Sequence, residues 1–395
     1  MPLRVVRVQF VSAFIALVIS FPAFSQIDPE KRQLLQVGYN AFFEGHAPIA
    51  AYAFYYLNRP QFQRENLTLR MAVAPVYFDS ELGISHALGP NTDIGVGLAG
   101  GGFADSYNEV RGGKYYTKES FDGHGGGASV SLYHLFNPSY KIPLYGIIRG
   151  GAYYSTYADT SDTADAFRLP DDRASANFRA GLRFGGKEPV LFPALAMELA
   201  VWVESLNRGN SGSYGYAGDR EVNTSVQLFY ANAFLAYTFE RGDNLSVSMT
   251  TGTSVDADRF SAYRLGGNLP LVAEYPLVLP GYYYQEISAD RFMLFNGRYA
   301  FALDARKQWQ LTVMAATAVV DYLDGQKQSG NWHSGVGGGV AYRSAKETWK
   351  AALTYGYGID ALRNGERGAH VVGLSVQFDL ENWLNKHRSK PFWWE

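Results

Sequence analysis

The sequence predicts an all-β fold, namely a transmembrane antiparallel β-barrel of about 16 strands. Apolar and polar residues alternate over segments of about ten residues, which is the pattern of a wall with one face in lipid and one in a lumen. Hydrophobic residues make up 47% of the chain, yet beyond the N-terminus none of their runs approaches the length of a membrane-spanning helix. Short and long connections also alternate along the chain. A net charge of -2 gives no basis for nucleic-acid binding, and Cys 0 excludes disulfides and thiolate metal sites.

The N-terminus has the features of a secretory signal. Arg4 and Arg7 precede an apolar run over 10–21, and small residues lead up to Ser25. This order predicts a signal peptide, residues 1–25, that is cleaved after Ser25. An uncleaved anchor is the alternative, but the run is shorter than the roughly twenty residues that a spanning helix needs. The predicted division of the rest is a barrel over 26–380 and a periplasmic tail over 381–395.

The alternation is clearest in two consecutive predicted strands, 176–184 and 195–204. In each strand one face is apolar, while the other face is basic in the first strand and acidic in the second. The polar faces are predicted to line the lumen, where the charges form either a lattice of cross-strand ion pairs or a selectivity or docking surface. The predicted lumen charges are Arg149, Arg179, Arg183, Glu198, Glu204, Arg298 and Lys350.

The lengths of the connections predict the topology. Short turns are expected at 58–66, 86–92, 137–141, 185–193, 241–244, 304–308 and 344–348. Longer polar stretches are expected at 105–122, 157–173, 207–221, 256–291, 321–331 and 359–370. With two hairpins near the start, at 44–48 and 77–80, the count reaches about sixteen strands, an even number as single-chain outer-membrane barrels require. The connection 256–291 is then the sixth on the long-loop side.

The stretch Tyr263–Tyr284 is too long for a tight hairpin and too rich in Leu, Val and Tyr for a solvated loop. It contains Leu265-Gly266-Gly267 and Pro280-Gly281-Tyr282, and a strand opens at Phe292. This order resembles the sixth extracellular loop of the bacterial surface antigen superfamily of outer-membrane assembly and transport barrels, which includes BamA and TamA. The alternative is a surface loop of any porin.

The resemblance implies that this loop folds into the lumen and that its tip touches the inner wall. Pro280 stands where the family has an arginine, so the tip is expected to be held by tyrosines, with Glu286 reaching a lumen group such as Arg298. The residues expected at the tip are Leu265, Gly266, Gly267, Pro280, Gly281, Tyr282, Tyr283 and Glu286.

The resemblance extends over the last third of the chain, through 331–339, 354–358 and a final strand that ends near Phe378. Family members that assemble proteins carry periplasmic polypeptide-transport-associated modules, whereas only 26–33 precedes the first predicted strand, so a barrel-only member is expected. The tail contains Trp383 and Leu384 among basic residues. It is interpreted as an amphipathic segment at the periplasmic membrane face, with a frayed terminus or a plug of the lumen as alternatives.

No enzyme, cofactor or metal is expected. The seven histidines are scattered without metal-ligand spacing. His124 or His370 could meet a serine or an aspartate at the barrel rim, as in outer-membrane hydrolases, but such pairs also arise by chance in polar loops. The glycine runs 100–102, 125–127 and 337–339 indicate kinks or close backbone approach within strands.

Three functions remain open from the sequence. The resemblance implies a bacterial outer-membrane barrel that helps to insert or transport proteins or lipids, using a weak seam between the first strand, near 35–43, and the last, near 371–379. The expected partners are outer-membrane lipids and a periplasmic protein. The alternatives are a passive pore for small solutes and a structural barrel that displays its loops.

Overall fold

The structure is a computed structural model, and it describes residues 30–186, 195–268 and 276–387. The predicted signal peptide lies outside the described residues. So do most of the predicted turn at 185–193, part of the sixth long loop, and the last eight residues of the tail.

Within the described residues, sixteen antiparallel strands close a barrel in which each strand pairs with its neighbours in sequence and the last pairs with the first. The predicted fold class is therefore confirmed. The strands are β1 Arg32–Phe42, β2 Ala50–Pro60, β3 Leu67–Val73, β4 Phe78–Ile84, β5 Thr92–Gly101, β6 Asp122–Leu135, β7 Leu144–Ala158, β8 Arg173–Gly186, β9 Leu195–Arg208, β10 Ser225–Thr238, β11 Asn244–Val255, β12 Ile287–Ala302, β13 Trp309–Tyr322, β14 Trp332–Arg343, β15 Trp349–Arg363 and β16 Glu366–Asp379.

The two faces of the wall follow the predicted alternation. In β9, Leu199 and Val201 are 49% and 51% exposed, whereas Ala200 and Trp202 are 3% and 6% exposed. Successive side chains of a strand point to opposite faces, so the first pair faces outward and the second faces the lumen. A transmembrane barrel presents such an outward apolar face to lipid.

Aromatic side chains mark the periplasmic ends of three adjacent strands. Trp309 on β13 packs against Tyr342 on β14 at 4.7 Å between ring centroids, and Tyr342 packs against Trp349 on β15 at 5.0 Å. Amphipathic rings of this kind collect at the membrane interface. They place one boundary of the lipid-facing belt at this end of the barrel.

The loop expected over 359–370 is not long, so that prediction was wrong. β15 continues to Arg363, β16 begins at Glu366, and only Asn364 and Gly365 connect them. Both connecting residues have positive φ, 52° and 89°. Asn and Gly tolerate this conformation, and the resulting two-residue turn matches the twist of the paired strands, which lets the ladder run to its tip.

The long loops pack together above the barrel. An aromatic cluster joins residues from four connections. One loop also touches the wall on the opposite side, because a Cβ added at Gly113 would lie 1.7 Å from the carbonyl oxygen of Leu362. Since the loop that carries Gly113 joins β5 to β6 and Leu362 lies on β15, this loop crosses the barrel mouth. The buried members of the cluster are Tyr107, Phe121, Phe167, Tyr214 and Val222.

The first part of the tail forms a helix, α1, over Leu380–His387. The carboxylate of Asp379 accepts the backbone N–H of Asn382 at 2.9 Å, which caps the helix. Glu381 pairs with Lys31 at 2.8 Å, so the helix is tied to the start of β1. No helix in the described part of the chain is long and apolar enough to cross a membrane. The placement of α1 at the membrane face stays a prediction.

Candidate functional site

The tip of the sixth long loop, residues 256–286 and here called loop 6, lies directly on the inward-facing backbone of β14 and β15. A Cβ added at Gly335 would lie 2.2 Å from the carbonyl oxygen of Pro280, and one at Gly356 would lie 3.0 Å from the backbone nitrogen of Gly281. The adjacent positions Val336 and Tyr355 are exposed on the outer face. The loop therefore rests on a part of the inner wall that is lined by glycines. Larger residues at these positions would occupy the space that the loop backbone fills.

Gly281 is constrained by both its angle and its surroundings. Its φ is 85°, a region that side-chain-bearing residues rarely adopt. A Cβ at this position would lie 1.8 Å from the backbone nitrogen of Gly358. Any substitution at Gly281 would force the tip away from β15.

Glu286 and Arg363 form a buried bidentate ion pair between the loop and the wall. Nη1 of Arg363 donates to Oε1 of Glu286 and Nη2 donates to Oε2, each at 2.9 Å, with side chains 3% and 1% exposed. The backbone N–H of Tyr283 donates to the same carboxylate at 2.7 Å. The guanidinium also lies 3.5 Å from the ring centroid of Tyr283. The tip is thus held by stacking and by charge-assisted hydrogen bonds together.

These contacts correct two sequence-based expectations. Glu286 pairs with Arg363 and not with Arg298, because Glu286 immediately precedes β12 while Arg298 lies toward the periplasmic end of that strand, where it donates to Asn244 at 3.3 Å. An arginine does take part in the anchoring, although Pro280 stands where the loop that this one resembles has an arginine. Here the wall supplies the arginine and the loop supplies the carboxylate.

Tyr283 also connects loop 6 to the strands that close the barrel. Its hydroxyl donates to the carbonyl oxygen of Glu44 at 2.7 Å, and its ring meets that of Phe42 edge to face at 5.0 Å. The Glu44 carboxylate accepts the backbone N–H of His370 on β16 at 2.7 Å. One tyrosine therefore contacts β15 through Arg363 and the extracellular end of the β1–β16 seam through Glu44.

The rest of the tip packs in an apolar cluster. Tyr282 is fully buried and meets the His333 ring edge to face, with its hydroxyl 3.2 Å from Nδ1. The two arms of the loop pair where the backbone N–H of Gly266 donates to Leu277 at 2.9 Å and that of Leu279 donates to Gly267 at 3.1 Å. Buried members of the cluster include Leu265, Leu279, Tyr282, Ile287, Ala289, Phe292, Leu294, Ala316, Ala318 and Val320.

Two of the predicted lumen charges form the expected pair. Arg183 on β8 donates to Glu198 on β9, and Glu198 is 1% exposed and also accepts from Asn232 at 3.4 Å. Arg179 and Glu204 lie directly opposite each other in the same strand pair. The Arg179 guanidinium stacks on Trp202 at 4.0 Å.

Arg149 belongs to a network that the sequence analysis missed. It pairs with Glu81 on β4 at 3.0 Å, and it donates to Ser131 at 2.7 Å and to Tyr133 at 2.9 Å. Glu81 lies next to apolar Leu82 on a strand of only seven residues. This alternation was the signal from which an inward-facing Glu81 could have been predicted. Lys350 lies opposite Gln377 and close to the periplasmic end of the wall.

A second buried ionic cluster lies in the loops above the barrel, around Glu109. Its carboxylate contacts Arg111 at 2.9 Å, Arg259 at 3.3 Å and Arg220 at 3.5 Å, and it accepts hydrogen bonds from Tyr107 at 2.8 Å and Gln326 at 2.9 Å. Burial alone would raise the pKa of this carboxyl, but the nearby arginines outweigh burial and hold the pKa below its usual value. The cluster joins four loops through ion pairs and hydrogen bonds.

The histidines considered for catalysis have other contacts. Nδ1 of His124 accepts the backbone N–H of Phe103 at 3.0 Å, and Nε2 of His370 lies 3.8 Å from the Glu44 carboxylate. Within the described ranges, no group of three or more His, Cys, Asp or Glu side chains is placed to hold a metal ion.

Comparison with known proteins shows similarity in fold. No protein-family model matches the chain, and no curated protein matches it. Among solved structures, CdiB from Acinetobacter baumannii matches over 90% of this chain and 64% of its own, with 11% identity and a TM-score of 0.56. CdiB from Escherichia coli matches over 89% and 63%, with 13% identity and a TM-score of 0.56. BamA from Haemophilus ducreyi, lacking POTRA domains 1-3, matches over 92% and 77%, with 10% identity and a TM-score of 0.53.

The chain thus spans less than two thirds of the two CdiB chains that it matches. At these identities the comparisons concern the fold alone, and they confirm the expected resemblance to BamA-type outer-membrane barrels.

Proposed function

We propose that the chain is an outer-membrane barrel that assists the insertion or transport of proteins or lipids, together with a periplasmic partner. The observation that carries the proposal is the seating of loop 6 on the glycine-lined inner face of β14 and β15. The resemblance of this loop to that of the assembly and transport barrels, and the similarity in fold to CdiB and BamA, support it. A loop that contacts the wall beside the closing seam suits a barrel that controls whether this seam opens.

The wall element we assign to this function is the β1–β16 seam. It has nine paired positions, from Leu34 opposite Asp379 to Phe42 opposite Val371. The inner face of the seam is polar, because the amide of Gln36 donates to that of Gln377 at 3.0 Å. Separating these strands would expose backbone groups that a substrate strand could pair with.

A disulfide across the seam tests this function. Val37 and Val376 lie opposite each other on the outer face of β1 and β16, and the chain has no native cysteine. The double variant Val37→Cys/Val376→Cys would be reconstituted in liposomes, reduced or oxidised. An eight-stranded barrel protein, diluted from urea, would then be followed as it folds into the liposomes.

We expect the reduced variant to accelerate folding of the added barrel and the oxidised variant to lose most of that acceleration. The matched control is Val96→Cys/Val130→Cys, which crosses β5 and β6 on the same outer face and should be insensitive to oxidation. Equal acceleration with and without the seam disulfide would contradict the proposed role of the seam. No acceleration by the reduced protein would contradict a function that the barrel performs without its partner.

A passive pore is the second candidate, since charged side chains such as Arg183 and Glu198 line the wall. The loops that meet over the mouth and the seated tip of loop 6 oppose it. Planar-bilayer recordings separate the two functions. We expect small conductance from the intact chain and large conductance after deletion of 276–284. A large open conductance of the intact chain would favour the pore.

A further inference from the structure

The wall of the barrel is lowest at one hairpin. β3 and β4 have 7 residues each, whereas the flanking strands β2 and β5 have 11 and 10. At about 3.4 Å per residue and a tilt of about 40°, seven residues rise about 18 Å, which is less than the roughly 25 Å apolar band of a transmembrane barrel. The paired part of this hairpin is therefore shorter than the apolar band.

The low hairpin leaves one edge of β2 without a neighbouring strand. The ladder between β2 and β3 ends where Tyr55 lies opposite Val73, while the ladder between β2 and β1 continues to Ala50 opposite Asn40. Within 30–186, 195–268 and 276–387 no other strand pairs with Ala50–Phe54. This five-residue segment is called the β2 edge below.

The surroundings of the β2 edge are apolar. Ile49, immediately before it, is 88% exposed, and Val76 and Tyr77 at the tip of the low hairpin are 46% and 41% exposed. The hairpin closes its own turn, since the backbone N–H of Ala74 donates to the carbonyl oxygen of Tyr77 at 2.7 Å. The hairpin tip suits contact with an apolar partner, whereas the β2 edge still presents backbone donors and acceptors.

We propose that the β2 edge is a docking site for one extended, alternately apolar strand of a second polypeptide. An unpaired strand edge requires hydrogen-bonding groups at regular spacing, and acyl chains have none. An added strand supplies them, and its apolar side chains would pack beside Ile49 and Val76. The site lies on the far side of β2 from the β1–β16 seam, and it does not depend on the function proposed for that seam.

Hydrogen exchange on the full chain in lipid nanodiscs tests this site. The probe is an acetylated and amidated peptide with the sequence of residues 309–319, which alternates as a barrel strand does. The control peptide carries proline at every second position, so it cannot form a ladder. We expect the strand peptide to slow exchange within Ala50–Phe54 at least tenfold, and we expect the proline peptide to have no effect.

A lengthened hairpin provides the matched protein variant. Thr-Val-Thr-Val is inserted after Val73 and again before Phe78, and the even number of residues keeps the inward and outward faces in phase. The inserted strands should cover the β2 edge, so its amides should exchange slowly without peptide and show no further change with it.

Three results would overturn the proposal. The first is slow exchange, in the unmodified chain at all concentrations, of those amides of Ala50–Phe54 that point away from β1, which would mean that the edge is already covered. The second is the absence of any effect of the strand peptide. The third is protection that rises with protein concentration without peptide, which would assign the edge to a second copy of this chain.

Discussion

Replacing Glu286 by glutamine should release the tip of loop 6 from the wall. The substitution keeps the shape of the side chain but leaves the charge of Arg363 buried without its carboxylate. Two charges about 4 Å apart at an effective dielectric constant of about 20 attract by about 4 kcal/mol. Breaking one side of a buried pair costs about 3 to 5 kcal/mol in measured cases. We therefore expect the free energy of unfolding to fall by about 3 kcal/mol or more.

The assay is urea unfolding in detergent micelles, followed by tryptophan fluorescence. The control is Glu347→Gln, which removes the partner of Arg343 in an exposed pair with side chains 34% and 59% exposed. A pair of this kind contributes about 0.2 to 1 kcal/mol. The double variant Glu286→Leu/Arg363→Met should recover much of the loss, because it removes both charges together.

The reasoning is refuted if Glu286→Gln shifts the unfolding midpoint no more than Glu347→Gln does. It is also refuted if the double variant is less stable than Glu286→Gln, because the buried unpaired charge would then not be the cause of the loss.

The other predictions concern the lumen, the loops and the topology. Glu198→Gln should lower the free energy of unfolding by about 1.5 to 3 kcal/mol, because Glu198 is buried and accepts charge-assisted hydrogen bonds from Arg183, and urea titration measures this. The pKa of Glu109 is lowered in the folded state, so its carboxylate stabilises the fold fully above the unfolded pKa of about 4.5, and this stabilisation is lost as pH falls through the folded pKa. The Glu109→Gln variant should therefore lose less free energy of unfolding between pH 7 and pH 3.5 than the unchanged chain does. In whole cells, an impermeant thiol reagent should modify Ser161→Cys but not Lys346→Cys, and the reverse pattern would contradict the topology.

The local sequence determined which side chains face outward and which face the lumen over much of the barrel wall. Side-chain direction alternates with a period of two along any strand, so the outward position of Leu199 and the inward position of Glu198 followed from parity alone. The parity argument failed where the wall is irregular. Arg363 is buried, although alternation counted from Gly356 and Gly358 would place it on the outer face, and the ladder between β15 and β16 is irregular between Gly358 and Leu362.

The sequence by itself also identified loop 6 and its glycines, because their composition and order are local properties of the chain. Only the tertiary structure decided the partners. Glu286 and Arg363 are 77 residues apart, and Glu109 and Arg220 are 111 apart. The physical reason is that such pairs depend on which strands lie side by side and where each ladder stops. The same reason applies to the β2 edge, which exists because the pairing with β3 ends at Tyr55 while the pairing with β1 continues.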